Sequence, residues 1–395
     1  MAPDLHQPDR LAARATELLA RLVAIDTTSR LSNLALIELV EAELAHLGVD
    51  ATRVNNADGS KANLYATLGP MAEGGVVLSG HTDVVPVDGQ PWSSDPFALT
   101  ERGGRLYARG SADMKAFLAL ALAAAPLFAE PGRLSRPVHL AFSYDEEVGC
   151  LGAPAMIAAI GKRLPAPAAV IVGEPTDMEV VGAHKGITTY RVTVTGHEAH
   201  SSLTHLGISA NMIAIQLMTR LSELAEDLER QANVRSPFCP KHATLTIGTM
   251  QGGTAVNILS RECVFQFDLR CPPGLDPVAL LQPFFDLADR LDGEMKARFA
   301  EAGVTVTRRS FTPAMALRPD GAAERIARAL AGDNGPLRAV PYAAEAGQFQ
   351  EAGFATIICG PGSIEQAHQP DEYIEVSQIE RGAAFMLRLA ESLAG

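Results

Sequence analysis

Four short apolar runs, at residues 76–79, 138–144, 168–172 and 355–359, constrain this chain more than any other feature. Each is bounded by Gly, Pro or acidic residues, and none alternates with polar positions. A strand with one wet face alternates with period two, whereas an unbroken apolar run implies burial on both faces. The runs therefore predict strands of a mostly parallel sheet sandwiched by helices. Leu36, Val40, Leu44 and Leu47 repeat at helical spacing between a Ser32-Asn33 start signal and Gly48, which predicts one helix. Stretches at 114–128, 154–162 and 322–331 predict others covering the sheet.

The texture changes between about 184 and 311. Segments such as TTYRVTVTG, ATLTIGTM and CVFQFDLR alternate, with long helical runs at 209–233 and 276–302 between them. Alternation predicts a sheet with helices on one face only. A chain of 395 residues also exceeds what one hydrophobic core usually fills. The expected organisation is an α/β domain in two parts, 1–183 and 312–395, with an α+β domain, 184–311, inserted between them.

With 47% hydrophobic and 20% charged residues the composition is that of an ordinary globular protein. A net charge of -13 excludes nucleic acid as the main partner, because phosphate binding needs clustered Lys and Arg. Five scattered cysteines without a C-x-x-C pair indicate neither a disulfide framework nor a thiolate zinc site, and fit a reducing compartment. The start, MAPDLHQPDR, lacks a basic segment followed by an apolar core. The most apolar helix candidate, 117–129, is too short to span a bilayer. A cytoplasmic protein without a membrane partner is expected.

The polar residues fall on a pattern. His81 follows the first apolar run, Asp145-Glu146-Glu147 the second and Glu174 the third, while His368 lies in the loop after the fourth. In open α/β sheets the edge beyond the strands' carboxyl ends is where ligands bind. Asp113 opens a helix, where the dipole favours its charge. Carboxylates packed together raise each other's pKa, and cations relieve that. Imidazole with carboxylate and no thiolate suits zinc, with cobalt or manganese as substitutes. The inventory fits two zinc ions if Asp113 bridges them and each also takes one histidine and one other carboxylate. Two divalent cations then balance three carboxylates and a bridging hydroxide. Asp83, two along from His81, can turn back to hydrogen-bond the second imidazole nitrogen and fix its tautomer. Of Glu146 and Glu147, one would bind metal and the other serve as general base; spacing leaves open which.

The segments SGHTDVVPV, ARGSADMKA, SYDEEVGCLGA, VGEPTD, GHEAHSS and GPGSIEQAHQPDEY, in that order, resemble the di-zinc amidohydrolase family that includes acetylornithine deacetylase, succinyl-diaminopimelate desuccinylase, aminoacylases and carboxypeptidases. The resemblance runs from about residue 15 to the end. It implies that His81, Asp113, Glu147, Glu174 and His368 are metal ligands and Glu146 is the base. It further implies a zinc-binding domain with an inserted lid that forms a homodimer, and assigns His200 to oxyanion stabilisation across that dimer. The substrate class is a small N-acyl amino acid, whose amide is hydrolysed to a carboxylate and an amino acid. The last motif resembles the acetylornithine branch most, implying deacetylation of N2-acetyl-L-ornithine in arginine biosynthesis. Amides of the turn at Gly362 would hold the substrate α-carboxylate, as would Lys185, Asn257 and Arg270 by likeness to carboxylate-binding segments. Glu345 would pair with a cationic side chain, although Ala343-Ala344-Glu345-Ala346 departs from the Gly-Thr-Glu-Ala of that branch. Other N-acyl amino acids, N-acetyl diamino acids or dipeptides are the alternative substrates. A non-catalytic binding protein on the same fold is disfavoured because all six positions are filled.

Overall fold

A computed structural model of the chain describes residues 5–395. Met1 to Asp4, the first residues of the segment read for a targeting signal, lie outside the described residues. The chain divides into two compact units, one of Met1–Ala183, Leu317–Arg338 and Ala344–Gly395, the other of His184–Ala316 and Ala339–Ala343. The second unit thus runs to Ala316 and takes in a short later segment that carries no change of texture.

An eight-stranded sheet, all but His184 and residues 339–340 of it in the first unit, has the order Ala51–Asn55, Ala62–Leu68, Val138–Ser143, Val76–His81, Ala169–Val172, Thr356–Ile358, Val181–His184, Arg338–Val340. Its four middle strands are the four apolar runs, and they pair in parallel. All of their residues are buried, as unbroken apolar sequence requires. The helix Lys115–Phe128 is apolar on every side and buried at every position except Pro126, which marks it as a core helix rather than a surface one. Outer helices are amphipathic instead: Pro8–Val23 buries Leu11, Ala15, Leu18, Leu19 and Leu22 along one stripe. The predicted helix ending near Gly48 is Leu34–Ala45, and Gly48 adopts φ +70°, where a side chain would be strained. A small sheet of Tyr373–Glu375, Arg105–Tyr107 and Thr100–Arg102 completes the unit.

The second unit is a four-stranded antiparallel sheet in the order Thr244–Gly252, Glu262–Cys271, Gly186–Thr195, Gly303–Thr312. Tyr190, Val192, Val194, Phe265, Phe267 and Leu269 form one buried face against the helices Ala210–Arg230 and Pro277–Arg298. Both helices open on a capping side chain, Ser209 accepting from the Met212 amide and Asp276 from that of Val278. The architecture is therefore α/β, a mostly parallel sheet flanked by helices, with an inserted α+β unit.

Candidate metal centre

The parallel strands deliver their polar residues to one edge of the first unit. His81 is the last residue of Val76–His81, Glu174 lies two beyond Ala169–Val172, and Glu146 and Glu147 follow Val138–Ser143. Asp113 comes from the loop before Lys115–Phe128, with a cis peptide to Met114. His81 Nε2 stands 3.0 Å from Asp113 Oδ1 and 4.0 Å from Glu174 Oε1. His368 Nε2 stands 3.4 Å from Asp113 Oδ2 and 2.9 Å from Glu147 Oε2. Two groups result, His81–Asp113–Glu174 and Asp113–Glu147–His368, each with its ligand atoms within 4.8 Å of one another. Asp113 belongs to both and turns a different oxygen to each histidine.

Three features fit this donor set to cations. His81 Nδ1 lies 2.9 Å from the Asp83 carbonyl; a carbonyl only accepts, so Nδ1 carries the proton and the Nε2 lone pair faces Asp113 Oδ1. A lone pair aimed at a carboxylate needs a proton or a cation between them. Glu174 Oε1 is buried without a hydrogen-bond partner, an orphan that costs free energy unless something positive meets it. Third, the site is over-supplied with negative charge. Burial, with help from neighbouring carboxylates, pushes Glu147 up to about 7, Glu146 up to about 8 and Glu174 well above the carboxylate range. Hydrogen bonds from its ring to the Asp113 and Glu147 carboxylates lift His368 to about 10. Burial works against a charged His81, yet Asp113 and Glu174 raise it well above its ordinary value. Without cations these groups favour their protonated forms, and divalent cations would take the place of those protons.

Asp83 corrects one expectation. Its carboxylate lies 3.7 Å from His81 Nδ1, and the backbone carbonyl orients the ring instead. The carboxylate accepts from the amides of Glu146 at 3.1 Å and Glu147 at 3.3 Å and from Ser29 Oγ at 2.7 Å. These donors at the start of the acidic turn are in direct reach, so Asp83 joins the His81 strand end to the two glutamates. Glu146 itself accepts from Cys150 Sγ at 3.2 Å.

Glu345 and Gly362 also differ from expectation. Glu345 is fully buried, and its two oxygens accept from Ser79 Oγ and Ser143 Oγ, both at 2.6 Å; no oxygen is open to an external amine. Those hydroxyls project from strands already packed together, so the carboxylate finds its partners inside the sheet. The Gly362 amide donates to Gln378 Oε1 at 3.3 Å and that of Gly360 to Thr176 Oγ1 at 3.2 Å, so neither faces an open anion site. The remaining expected residues belong to the second unit. Lys185 is buried, donates from Nζ to the His242 carbonyl at 2.7 Å, and has its pKa lowered by burial. Arg270 pairs with Asp268 at 3.0 Å. Asn257 is exposed, and its carbonyl accepts from the Ser201 amide at 3.0 Å. His200, also exposed, shares a hydrogen bond with Ser202 Oγ at 2.9 Å.

Two charged residues that sequence reasoning left without a role, Arg109 and Glu372, are buried and paired beside Asp113. Their only advance signal was their place inside the ARGSADMKA and QPDEY segments. A concavity of about 690 Å³ in the first unit, lined by Leu47, Tyr65, Pro70 and Leu134 among others, opens near the amino ends of the parallel strands. It carries none of the clustered ligand atoms.

A profile of the peptidase family M20/M25/M40 matches residues 77–392. The acetylornithine deacetylase of Proteus mirabilis (strain HI4320) is 35% identical over 371 residues, 93% of this chain and 92% of that protein. That of Myxococcus xanthus is 36% identical over 390 residues, 97% of this chain and 98% of the relative. Among solved structures, the M20 family metallo-carboxypeptidase Sso-CP2 from Sulfolobus solfataricus superposes with a TM-score of 0.76 at 17% identity, over 95% of this chain and 98% of that one. The YXEP protein of Bacillus subtilis, described as a dinuclear metal binding peptidase, gives a TM-score of 0.64 at 14% identity, over 98% and 99%. The structural likenesses speak to the fold, and the sequence matches go further: the chain belongs to the peptidase family M20/M25/M40 and is a hydrolase of amide bonds.

Proposed function

We propose that the chain removes the acetyl group of N2-acetyl-L-ornithine, giving L-ornithine and acetate, with two divalent cations held by His81, Asp113 and Glu174 and by Asp113, Glu147 and His368. The supporting observation is the sharing of Asp113 between two imidazole-carboxylate triads, the donor set that zinc favours and cobalt or manganese accept. Bound there, the cations supply Lewis acidity, polarising the acyl carbonyl and acidifying water. The remaining work falls to side chains. Glu146 accepts a proton from the attacking water and returns it to the departing amine nitrogen, and the water's second proton ends there too, so amide and water become acetate and the protonated amine with no net change at the carboxylate. Glu147 stays a ligand because its Oε2 already meets His368. Asp83 positions both glutamates through their amides.

His200 stabilises the oxyanion in this reading, reached across a homodimer formed by the inserted unit. Exposed Met212 and Ile215 on its first helix and Met250 on its edge strand are the apolar surface that favours such pairing; sedimentation showing only monomer at micromolar concentration would contradict it. The reaction belongs to arginine biosynthesis in the cytoplasm.

Relatives at about 35% identity that are called acetylornithine deacetylases support the substrate. A second reading, hydrolysis of another N-acyl amino acid or a dipeptide, is favoured by Glu345, whose oxygens are occupied by serines. The deciding experiment is kcat/KM of the zinc-loaded chain on N2-acetylornithine, neutral N-acetyl amino acids and dipeptides. The highest value is expected for N2-acetylornithine; a neutral substrate or dipeptide surpassing it supports the second reading instead.

A further inference from the structure

Glu372 and Arg109 have side chains only 1% exposed. A buried carboxylate persists only when its oxygens are fully engaged, and those of Glu372 are. Oε1 accepts the amides of Ala112 at 2.9 Å and Asp113 at 3.1 Å, while Oε2 accepts that of Gly110 at 3.1 Å and Arg109 Nη1 at 2.7 Å. Arg109 extends the contact, donating from Nη1 to the Gln369 carbonyl at 3.3 Å and from Nη2 to Gln90 Oε1 at 2.5 Å, with its guanidinium over the Trp92 ring. Gln90 Nε2 in turn donates to the His368 carbonyl at 3.0 Å. One carboxylate therefore grips the backbone carrying Asp113 and, through Arg109 and Gln90, the turn carrying His368.

The two ligand triads do not need that grip equally. His81 ends a buried strand and Glu174 lies two residues past another, so the sheet itself holds them. His368 has no such support. It sits in a long loop after Thr356–Ile358 with φ +64°, and its side chain is about half exposed. A non-glycine residue in the left-handed region persists only where its surroundings enforce it.

We propose that Glu372 is a positioning residue for the second cation, setting Asp113 Oδ2 and His368 Nε2 at the separation that the Asp113–Glu147–His368 triad requires. The inference rests on the two-cation reading above. Glu372→Gln removes the ion pair and turns an amide NH2 toward backbone N–H donors, so the 110–113 loop and the His368 turn should part.

The full-length chain, stripped by chelator, is titrated with Zn2+ by calorimetry and with Co2+ by absorbance. Wild type should take up two equivalents. In Glu372→Gln the first should bind much as in wild type, while the second weakens by roughly tenfold to a hundredfold, the usual effect of losing an outer-sphere partner. Gln90→Ala, which leaves the four donors to Glu372 in place but removes the donor to the His368 carbonyl and the acceptor shared by Arg109 Nη2 and Trp92 Nε1, should show the same selectivity to a smaller degree and remains informative if Glu372→Gln does not fold. A purely structural role would lower the unfolding midpoint and leave the ratio of the two affinities unchanged. Two wild-type equivalents in both variants, or equal loss of both, overturns the inference; a wild-type chain that binds fewer than two equivalents overturns the two-cation reading itself.

Discussion

Glu146 and Glu147 are neighbours in sequence and differ only in what faces them. Glu147 Oε2 meets His368, whereas Glu146 Oε1 meets the Cys150 thiol and no histidine nitrogen within hydrogen-bonding distance. Glu146→Gln should keep the volume and the metal while losing the proton carrier. We expect kcat to fall by roughly a hundredfold to ten-thousandfold with two equivalents of zinc retained; a variant turning over at the wild-type rate would remove Glu146 from the mechanism. The clustering of the expected ligands was legible for His81, Asp113, Glu147 and Glu174, which stand at or just beyond an apolar run or open a helix and can be read locally, whereas His368 lies far along the loop after Thr356–Ile358. Spacing left the division between the two glutamates open and only the family resemblance assigned it, since what separates them is a contact with His368, 221 residues from Glu147. Asp83 was legible as a partner of the centre but not in its manner, because backbone amides leave no trace in residue type. For the same reason Glu372 was invisible: three of its four donors are amides.

At the scale of elements, the four parallel strands were readable because burial on both faces leaves an unbroken apolar signature. Ala62–Leu68 is buried at every position but Thr67, yet it reads ANLYATL, where Asn63 interrupts the apolar residues. That side chain is satisfied inside, donating to the Gly152 carbonyl at 2.9 Å and accepting from the Tyr144 amide at 3.2 Å, a long-range pairing that hydropathy does not register. Where strand meets helix, Gly173 is decisive. A Cβ there would lie 2.0 to 2.3 Å from ring carbons of Phe117, a buried residue of Lys115–Phe128, so the helix can rest on the strand end only because no side chain intervenes. Gly173→Ala should destabilise the chain by about 1–3 kcal/mol or more, as overpacking does, lowering the urea midpoint without changing the slope. Because Glu174 is the next residue, zinc affinity should drop as well. An unchanged midpoint would mean the helix yields freely, and the strand end would then not be the rigid support described.

Over the whole molecule the change from unbroken to alternating apolar patterns anticipated two architectures, and among the described residues no helix is long and apolar enough to cross a membrane. Global stability should carry a signature of the buried core. His139 has no exposed surface, and burial lowers its pKa from 6.5 to about 4. Below pH 6.5 the unfolded chain gains a proton that the native one refuses, so stability falls with pH until about 4. Between about pH 7 and 5 the metal-free wild type should lose about 2 kcal/mol more than His139→Gln, read from urea midpoints; equal losses would show that the imidazole is not held neutral. The central claim, two cations sharing Asp113, is tested most directly by anomalous diffraction at the zinc edge on zinc-loaded crystals. Two peaks are expected, one within about 2.0–2.2 Å of ligand atoms of His81, Asp113 and Glu174 and one likewise among Asp113, Glu147 and His368. A single peak, or peaks that leave Asp113 uncoordinated, would contradict it.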